Sequence, residues 1–224
     1  MGLYSFTAPI QTKETGLLLC QHNAVPTYRK HNMLPRFVLL LSISTLSICF
    51  FGSTSYGEDW AQWRGPNRDA KSNETGLLDA WPENGPPLSW KATGVGGGYS
   101  SIAIANGRIF TMGDLDDGSY VIVLDETDGS PVWKTRIGEA GGHKRYPGPR
   151  GTPTVDGGEV FVLNQYADVV CLDAESGETK WSVNLVDQYG GKMMSGWKYS
   201  ESPLVDGDRV ICTPGGADGT LLAL

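Results

Sequence analysis

Cysteine, histidine and positive charge are all scarce in this 224-residue chain, and each scarcity removes a class of function. Four cysteines are present; Cys20 and Cys49 fall in or before an N-terminal apolar run, which leaves Cys171 and Cys212 for the body. Both sit in apolar, strand-like stretches, VVCLD and VICTP, where a free thiol packs as a small hydrophobe. A bridge between them is the alternative in an oxidising compartment, and spacing alone does not choose. There is no CxxC and no Cys/His cluster, and of three histidines His22 and His31 precede the apolar run. Zinc chemistry is therefore not expected, and no metal site is assigned. The formal charge is −7, made of +3 over residues 1–57 and −10 over the rest. An acidic body excludes sequence-independent nucleic-acid binding, which needs clustered cations against phosphate.

Long apolar runs are also lacking. The one that exists, Phe37 to Phe51 (FVLLLSISTLSICFF), is about 15 residues behind Arg36, short for a membrane span and suited to a signal-peptide core. A signal peptide's charged region is short, so the reading is an over-extended start over residues 1–32 and a signal peptide over 33–57, beginning at Met33. An uncleaved N-terminal anchor is the alternative. LSIC at 46–49 is a poor lipidation site because Ile48 stands where a small residue is wanted. The expected location is exported, periplasmic or extracellular, with membrane contact only through this segment.

Glycine, by contrast, is abundant, with 30 residues, and suits many tight turns. One phrase occurs twice, LDETDGSPVW at 124–133 and LDAESGETKW at 172–181, 48 residues apart. Each copy is a strand end, an Asp, a polar turn closed by Gly, and a second strand carrying Trp. Gly129 and Gly177 can take the positive φ of a bulged turn, while Asp125 and Asp173 can accept hydrogen bonds from the turn's N–H groups. Three further segments align: IAIANGRIFTM, PTVDGGEVFVL and PLVDGDRVICT, with Gly107, Gly157 and Gly207 stepping by 50. Each reads as a tight hairpin. A third strand follows at 119–125, 168–173 and 219–224, and the Trp strand is the fourth.

Four short antiparallel strands per unit of about 50 residues predict an all-β fold, a β-propeller of four-stranded blades. Trp133 and Trp181, on the outermost strands, can each bury on the order of 200 Å² against a neighbouring blade, several kcal/mol of inter-blade adhesion. Residues 58–98 read as an extended lead-in, with Trp90 an earlier copy of the Trp133 position, so that the first blade is represented by its outer strand. Residues 99–224 read as a partial propeller, and its last copy stops at Leu224 before its Asp and Trp. The expectation is the N-terminal piece of a longer protein, or a chain that assembles with other copies.

The repeated phrase resembles the tryptophan-docking repeat of quinoproteins, pyrroloquinoline-quinone (PQQ)-type propellers with a pattern near A-x-D-x-x-T-G-x-x-x-W. Cys171 replaces the Ala and Ser176 the Thr in the second copy. The likeness covers roughly 86–224. The opening DWAQWRGPNRD, with GYSS and SPLVDGDRVICTPGG, is similar to exported bacterial repeat proteins labelled polyvinyl-alcohol dehydrogenases. The same repeat builds the propeller lipoprotein of the outer-membrane β-barrel assembly machinery, which binds protein and no quinone. The dehydrogenase relatives imply PQQ with calcium, held by an adjacent disulfide-linked cysteine pair, a stacking Trp and Glu, Asn and Asp ligands, with an Asp base. This chain has no adjacent cysteines, and neither ligands nor base map onto it. No cofactor is assigned. The resemblance implies an exported binding scaffold for protein or polymer partners, and alternatively a quinone-dependent alcohol, polyvinyl-alcohol or sugar dehydrogenase.

In an up-and-down blade, the turn between strands two and three and the crossover between blades share one face. The long connections Ile137–Gly151 and Val186–Ser202 then lie together, and long loops on rigid scaffolds carry function. They gather His143, Lys144, Arg145, Tyr146, Arg150, Lys192, Met193, Met194, Trp197, Lys198 and Tyr199 in an acidic protein. Arg145, Arg150, Trp197 and Tyr199 are the ligand-binding candidates: guanidinium forks beside aromatic faces suit a flat anion such as a quinone tricarboxylate, or an acidic peptide loop. The bland reading is solvated loops with Trp197 and Tyr199 covering the propeller's end. Asp114, Asp116 and Asp117 in GDLDDGSY depart from calcium-loop spacing and read as an acidic, solvated turn.

Overall fold

The computed structural model describes residues 57–224 apart from Met194 and Asp218. The start assigned to 1–32, the signal segment 33–57 except Gly57, Cys20 and Cys49 lie outside the described residues. Strands β1 (Ala103–Ala105), β2 (Arg108–Leu115), β3 (Gly118–Asp125) and β4 (Pro131–Gly138) form one antiparallel sheet in sequence order. A second repeats it with β5 (Thr154–Asp156), β6 (Glu159–Leu163), β7 (Asp168–Asp173) and β8 (Thr179–Asn184). A third contains β9 (Leu204–Asp206), β10 (Arg209–Cys212) and β11 (Leu222–Ala223). These are blades of a β-propeller.

Period-two alternation explains how they stack. Val160 and Val162 of β6 join Phe110, Met112, Val121 and Val123 in the core between the first two blades. Phe161 and Leu163, one residue out of step, point the other way and join Val210 and Cys212 of the third blade. The middle strands are thus buried on both faces, whereas β4 and β8 at the rim stay largely exposed. The remaining face of the first blade, with Ile109, Ile122 and Leu124, is covered by Trp90, Ala92 and Val95 of the lead-in.

The tight hairpins differ in frame. Asn106 and Gly107 form the first turn, both at positive φ (52° and 71°), which suits a type I′ hairpin. In the second, Asp156 pairs with Glu159 and the turn is Gly157–Gly158 (55° and 84°). Gly107 therefore corresponds to Gly158, not Gly157, and the first repeat is one residue out of the 50-residue step. In the repeated phrase, Asp125 Oδ1 accepts from Thr127 N at 2.8 Å, and Asp173 Oδ1 accepts from Glu175 N and Ser176 N at 3.1 and 2.9 Å. Gly129 and Gly177 lie at φ 73° and 74°, each beside a register shift in the adjoining strand pair.

Each of these turns receives a tryptophan from the preceding segment. Trp133 Nε1 donates to Ala174 O at 3.2 Å, and its ring lies so close to Gly177 that a Cβ there would stand 2.6 Å from it. Arg108 donates to the Ala174 and Glu175 carbonyls, and Thr135 Oγ1 donates to Gly177 O. Trp90 treats Gly129 the same way, its Nε1 donating to Glu126 O at 3.1 Å, although residues around Trp90 form no named strand.

The lead-in does more than extend. Asp59 accepts from Asn106 N, Trp60 exchanges both backbone hydrogen bonds with Ile104 (2.8 and 3.0 Å), and Ala61 O accepts from Val155 N at 2.8 Å. Arg68 Nη2 then donates to Pro203 O at 2.7 Å, next to β9. One short segment thus touches the innermost strand, or its start, in three consecutive blades. It also caps β1, whose edge would otherwise present unpaired backbone groups.

Candidate functional site

Segments 137–151 and 186–202 meet at one end of the blades, beside the β2–β3 and β6–β7 turns. Gly141 N donates to Asp114 Oδ2 (2.7 Å), Gly142 N to Tyr166 Oη (2.8 Å), and Tyr199 N to Gln165 O (3.4 Å). The floor beneath them is polar and closed to water. Gln165, 1% exposed, donates to Asp114 and Glu139, and Ser119 donates to Asp114 Oδ1 at 2.5 Å. Asn164, fully buried, donates to Ile137 O and Asp168 Oδ2 and accepts from Tyr166 N and Asp168 N. Asp114 is therefore an internal hydrogen-bond hub, which corrects its reading as a solvated turn; Asp116 and Asp117 are the exposed residues.

The second segment is not wholly a loop. Asn184 accepts from Val186 N and Asp187 N, capping helix α1 (Leu185–Tyr189), and Gly190 at φ 62° ends it. Leu185 is buried against the second core.

Above this floor, aromatic rings collect around one guanidinium. Trp197 lies nearly parallel to His143 (centroids 4.5 Å, 13°) and Tyr146 (5.4 Å, 21°). Arg150 Cζ is 5.1 Å from the Tyr99 ring centroid and 5.4 Å from that of Trp197. Its Nη2 donates to Tyr146 O, while its buried Nε meets no acceptor. Tyr99 and Trp197 are 52% and 50% exposed. Lys198, at φ 69°, holds its Nζ 5.6 Å over the Tyr166 ring.

Of the four sequence candidates, Arg150 and Trp197 meet, Arg145 is exposed at the margin, and Tyr199 goes elsewhere. Tyr199 is 5% exposed, packs in the second core and donates its hydroxyl to Pro214 O at 2.8 Å. Its candidacy as a ligand contact is corrected: the chain reversal at Lys198 sends Trp197 outward and Tyr199 inward. Tyr99 was missed. The available signal was spacing, since Tyr99 and Arg150 each stand four residues before the first inner-strand residue, Ala103 and Thr154.

Two titratable features flank the site. Glu201 accepts from Thr213 N at 2.6 Å and from its hydroxyl, yet burial outweighs these bonds and holds its carboxyl above the usual range. A raised carboxyl binds its proton more tightly in the folded chain, so stability falls as pH rises from the ordinary glutamate value through the raised one. Chemical denaturation across that window should show wild type losing stability relative to Glu201→Gln; parallel pH profiles would refute this. Cys171 and Cys212 are buried free thiols, which answers the bridge alternative. Burial pushes them up to about 11 and about 12, with Glu159 and Glu201 respectively adding to the shift. A maleimide at mildly alkaline pH should therefore modify peptides containing either residue only after denaturant is added, as read by mass spectrometry; labelling of the folded chain would contradict it.

A cavity of about 420 Å³ opens elsewhere, between the second and third blades, lined among others by Phe161, Trp181, Val183, Val205 and Val210. Between the first two blades the corresponding space is filled by the Asp173–Gly177 turn beneath Trp133. Its lining is packing surface, and no ligand is assigned to it.

Among the described residues no group of three or more His, Cys, Asp or Glu could hold a metal ion. Cys171 and Cys212, the cysteines among the described residues, do not form the adjacent pair that the quinoprotein resemblance implies, and no chemical step is derived through that cofactor. No helix among them is long and apolar enough to cross a membrane.

Residues 73–163 and 117–224 match a family model described as outer membrane protein assembly factor BamB. Among solved structures, quinohemoprotein alcohol dehydrogenase from Comamonas testosteroni is similar at 18% identity and a TM-score of 0.52, over 68% of this chain and 22% of that one. BamB from Moraxella catarrhalis is similar at 21% identity and a TM-score of 0.43, over 61% and 36% respectively. The dehydrogenase ADHIIG from Pseudomonas putida HK5 follows at 20% identity and 0.40, over 56% and 18%. At these identities the likeness is one of fold, and the chain spans well under half the length of each. No curated protein matches it.

Proposed function

Because the chain belongs to the PQQ-like repeat propeller family described by outer membrane protein assembly factor BamB, we propose that it is an exported binding scaffold. Its long-loop face receives protein or polymer partners. The carrying observation is charge. Lys144, Arg145, Arg150, Lys192 and Lys198 make no ion pair with any acid among the described residues, in a body of net −10. Elsewhere among the described residues some cations pair, Arg136 with Glu139 at 2.6 Å and Lys180 with Glu159 at 3.0 Å, and others such as Lys91 and Lys134 do not, so what marks this face is the gathering of five unpaired cations on two loops. Unpaired cations beside half-exposed rings supply directional charge and large contact area, the ingredients of binding hot spots. The apolar segment at 37–51 supports export.

A photo-crosslinking residue at 197 in the full chain, compared with one at Glu178 on the opposite end, tests this. Envelope partners should crosslink from 197 and not from 178; equal yields from both would overturn it. Titration with PQQ and calcium is the control for the dehydrogenase alternative, and stoichiometric quinone binding would replace the scaffold reading.

A further inference from the structure

The long-loop face alternates cations with aromatic rings. Arg150 sits between Tyr99 and Trp197, and Trp197 continues into the nearly parallel His143 and Tyr146. Next along the chain, Lys198 overlies Tyr166, whose hydroxyl accepts from Gly142 N. We propose that this face binds a carboxylated polysaccharide, a polyuronate chain, with Arg150 taking a carboxylate and Trp197 and Tyr99 taking the flat C–H faces of the sugar rings. The proposal rests on the reading of the long-loop face as the partner-binding one.

Three observations favour this ligand chemistry. The cations are unpaired within the protein, so the ligand is anionic. Arg150 is held short of its hydrogen-bonding capacity, since Nη2 has an acceptor and Nε has none. Buried donors without partners are rare in folded proteins, and a ligand carboxylate at the guanidinium supplies an acceptor in its forked geometry. Exposed rings also stand beside two of the five cations, Tyr99 and Trp197 with Arg150 and Tyr166 with Lys198. A bare phosphate would use the cations and leave the rings without a role. An acidic peptide brings charge but no flat apolar face in every unit, whereas each uronate residue carries one carboxylate and one such face. Nucleic acid has both as well, and a single-stranded oligonucleotide is therefore one of the comparators in the test.

Calorimetric titration of the full chain with oligogalacturonate tests the proposal, with a neutral cello-oligosaccharide, poly-glutamate and a single-stranded oligonucleotide as comparators. Oligogalacturonate should bind about tenfold or more tightly than each comparator, and Arg150→Gln should weaken it by about the same factor. Arg150→Lys, which keeps the charge and loses the fork, should fall between, and a fluorescence change on binding should disappear in Trp197→Phe. Unfolding midpoints of the variants separate lost binding from lost folding. Equal binding of poly-glutamate, the oligonucleotide or the neutral sugar would overturn the proposal, as would unchanged affinity in Arg150→Gln. Absent uronate binding with crosslinking from 197 retained overturns this proposal alone; loss of both removes the reading of the face as well.

Discussion

Gly177→Ala is expected to lower folding stability by roughly 2–4 kcal/mol, read as a shift in the urea or thermal unfolding transition. Two costs combine. An L side chain at φ 74° carries a backbone penalty of about 1 kcal/mol, and the new Cβ would stand 2.6 Å from the Trp133 ring, which is held by its own hydrogen bond to Ala174 O. The control is Gly107→Ala: φ is similar at 71°, but nothing lies within 4 Å, so only the backbone penalty applies. Trp133→Ala alone should cost about 3 kcal/mol through lost burial and one lost hydrogen bond, the Ala174 carbonyl keeping Arg108 as its donor. The double variant should cost less than the sum, because the clash disappears with the ring. Strict additivity would mean that ring and turn do not meet in solution. The same cycle measures how strongly one blade holds the next.

The second large effect lies under the loops. Asn164→Ala removes one side chain and strands the Ile137 carbonyl, the Tyr166 and Asp168 amides and one oxygen of Asp168. At about 1–3 kcal/mol for each unsatisfied buried group, and with water entering to satisfy some, the net loss is expected near 3–4 kcal/mol. A local signature should accompany it. The Gly141 and Gly142 amides, bonded to Asp114 and Tyr166, should exchange hydrogen faster than amides of β6 and β7. Unchanged protection at those glycines would show that the Asn164 network does not position the loop carrying His143 to Arg150.

The features legible in the sequence are those written by local chemistry. An Asp that accepts from its own turn, a Gly that needs positive φ and a strict alternation along β6 act within a few residues, so hairpins, blade order and the double-faced core can be read directly. The one-residue frame difference between Gly107 and Gly157 was hidden, because Gly157–Gly158 offers two glycines to align. Asp114 looked like part of an acidic turn because its partners Gly141 and Gln165 come 27 and 51 residues later. Trp197 and Tyr199 looked equivalent because composition does not say which side of Lys198 faces the core. Helix α1 is a single short turn sequence with no apolar periodicity, decided by the Asn184 cap and the buried Leu185. The lead-in shows no period either, since it offers different residues to different blades: Trp60 to the first, Ala61 to the second and Arg68 to the third.

That last arrangement governs the order in which the molecule can be completed. Arg68 and Pro203 are 135 residues apart in sequence. As the chain emerges N-terminus first, hairpins such as β1–β2 can close at once, but the lead-in's last anchor does not exist until the third blade has been delivered. Closing so long a loop is entropically slow, and a fold rich in distant contacts gains its final rigidity late. The β1 edge can be covered by Trp60 once the first blade is out, whereas the Arg68 end of the same lead-in, among the first parts of the described chain to appear, waits for the third blade before it is anchored.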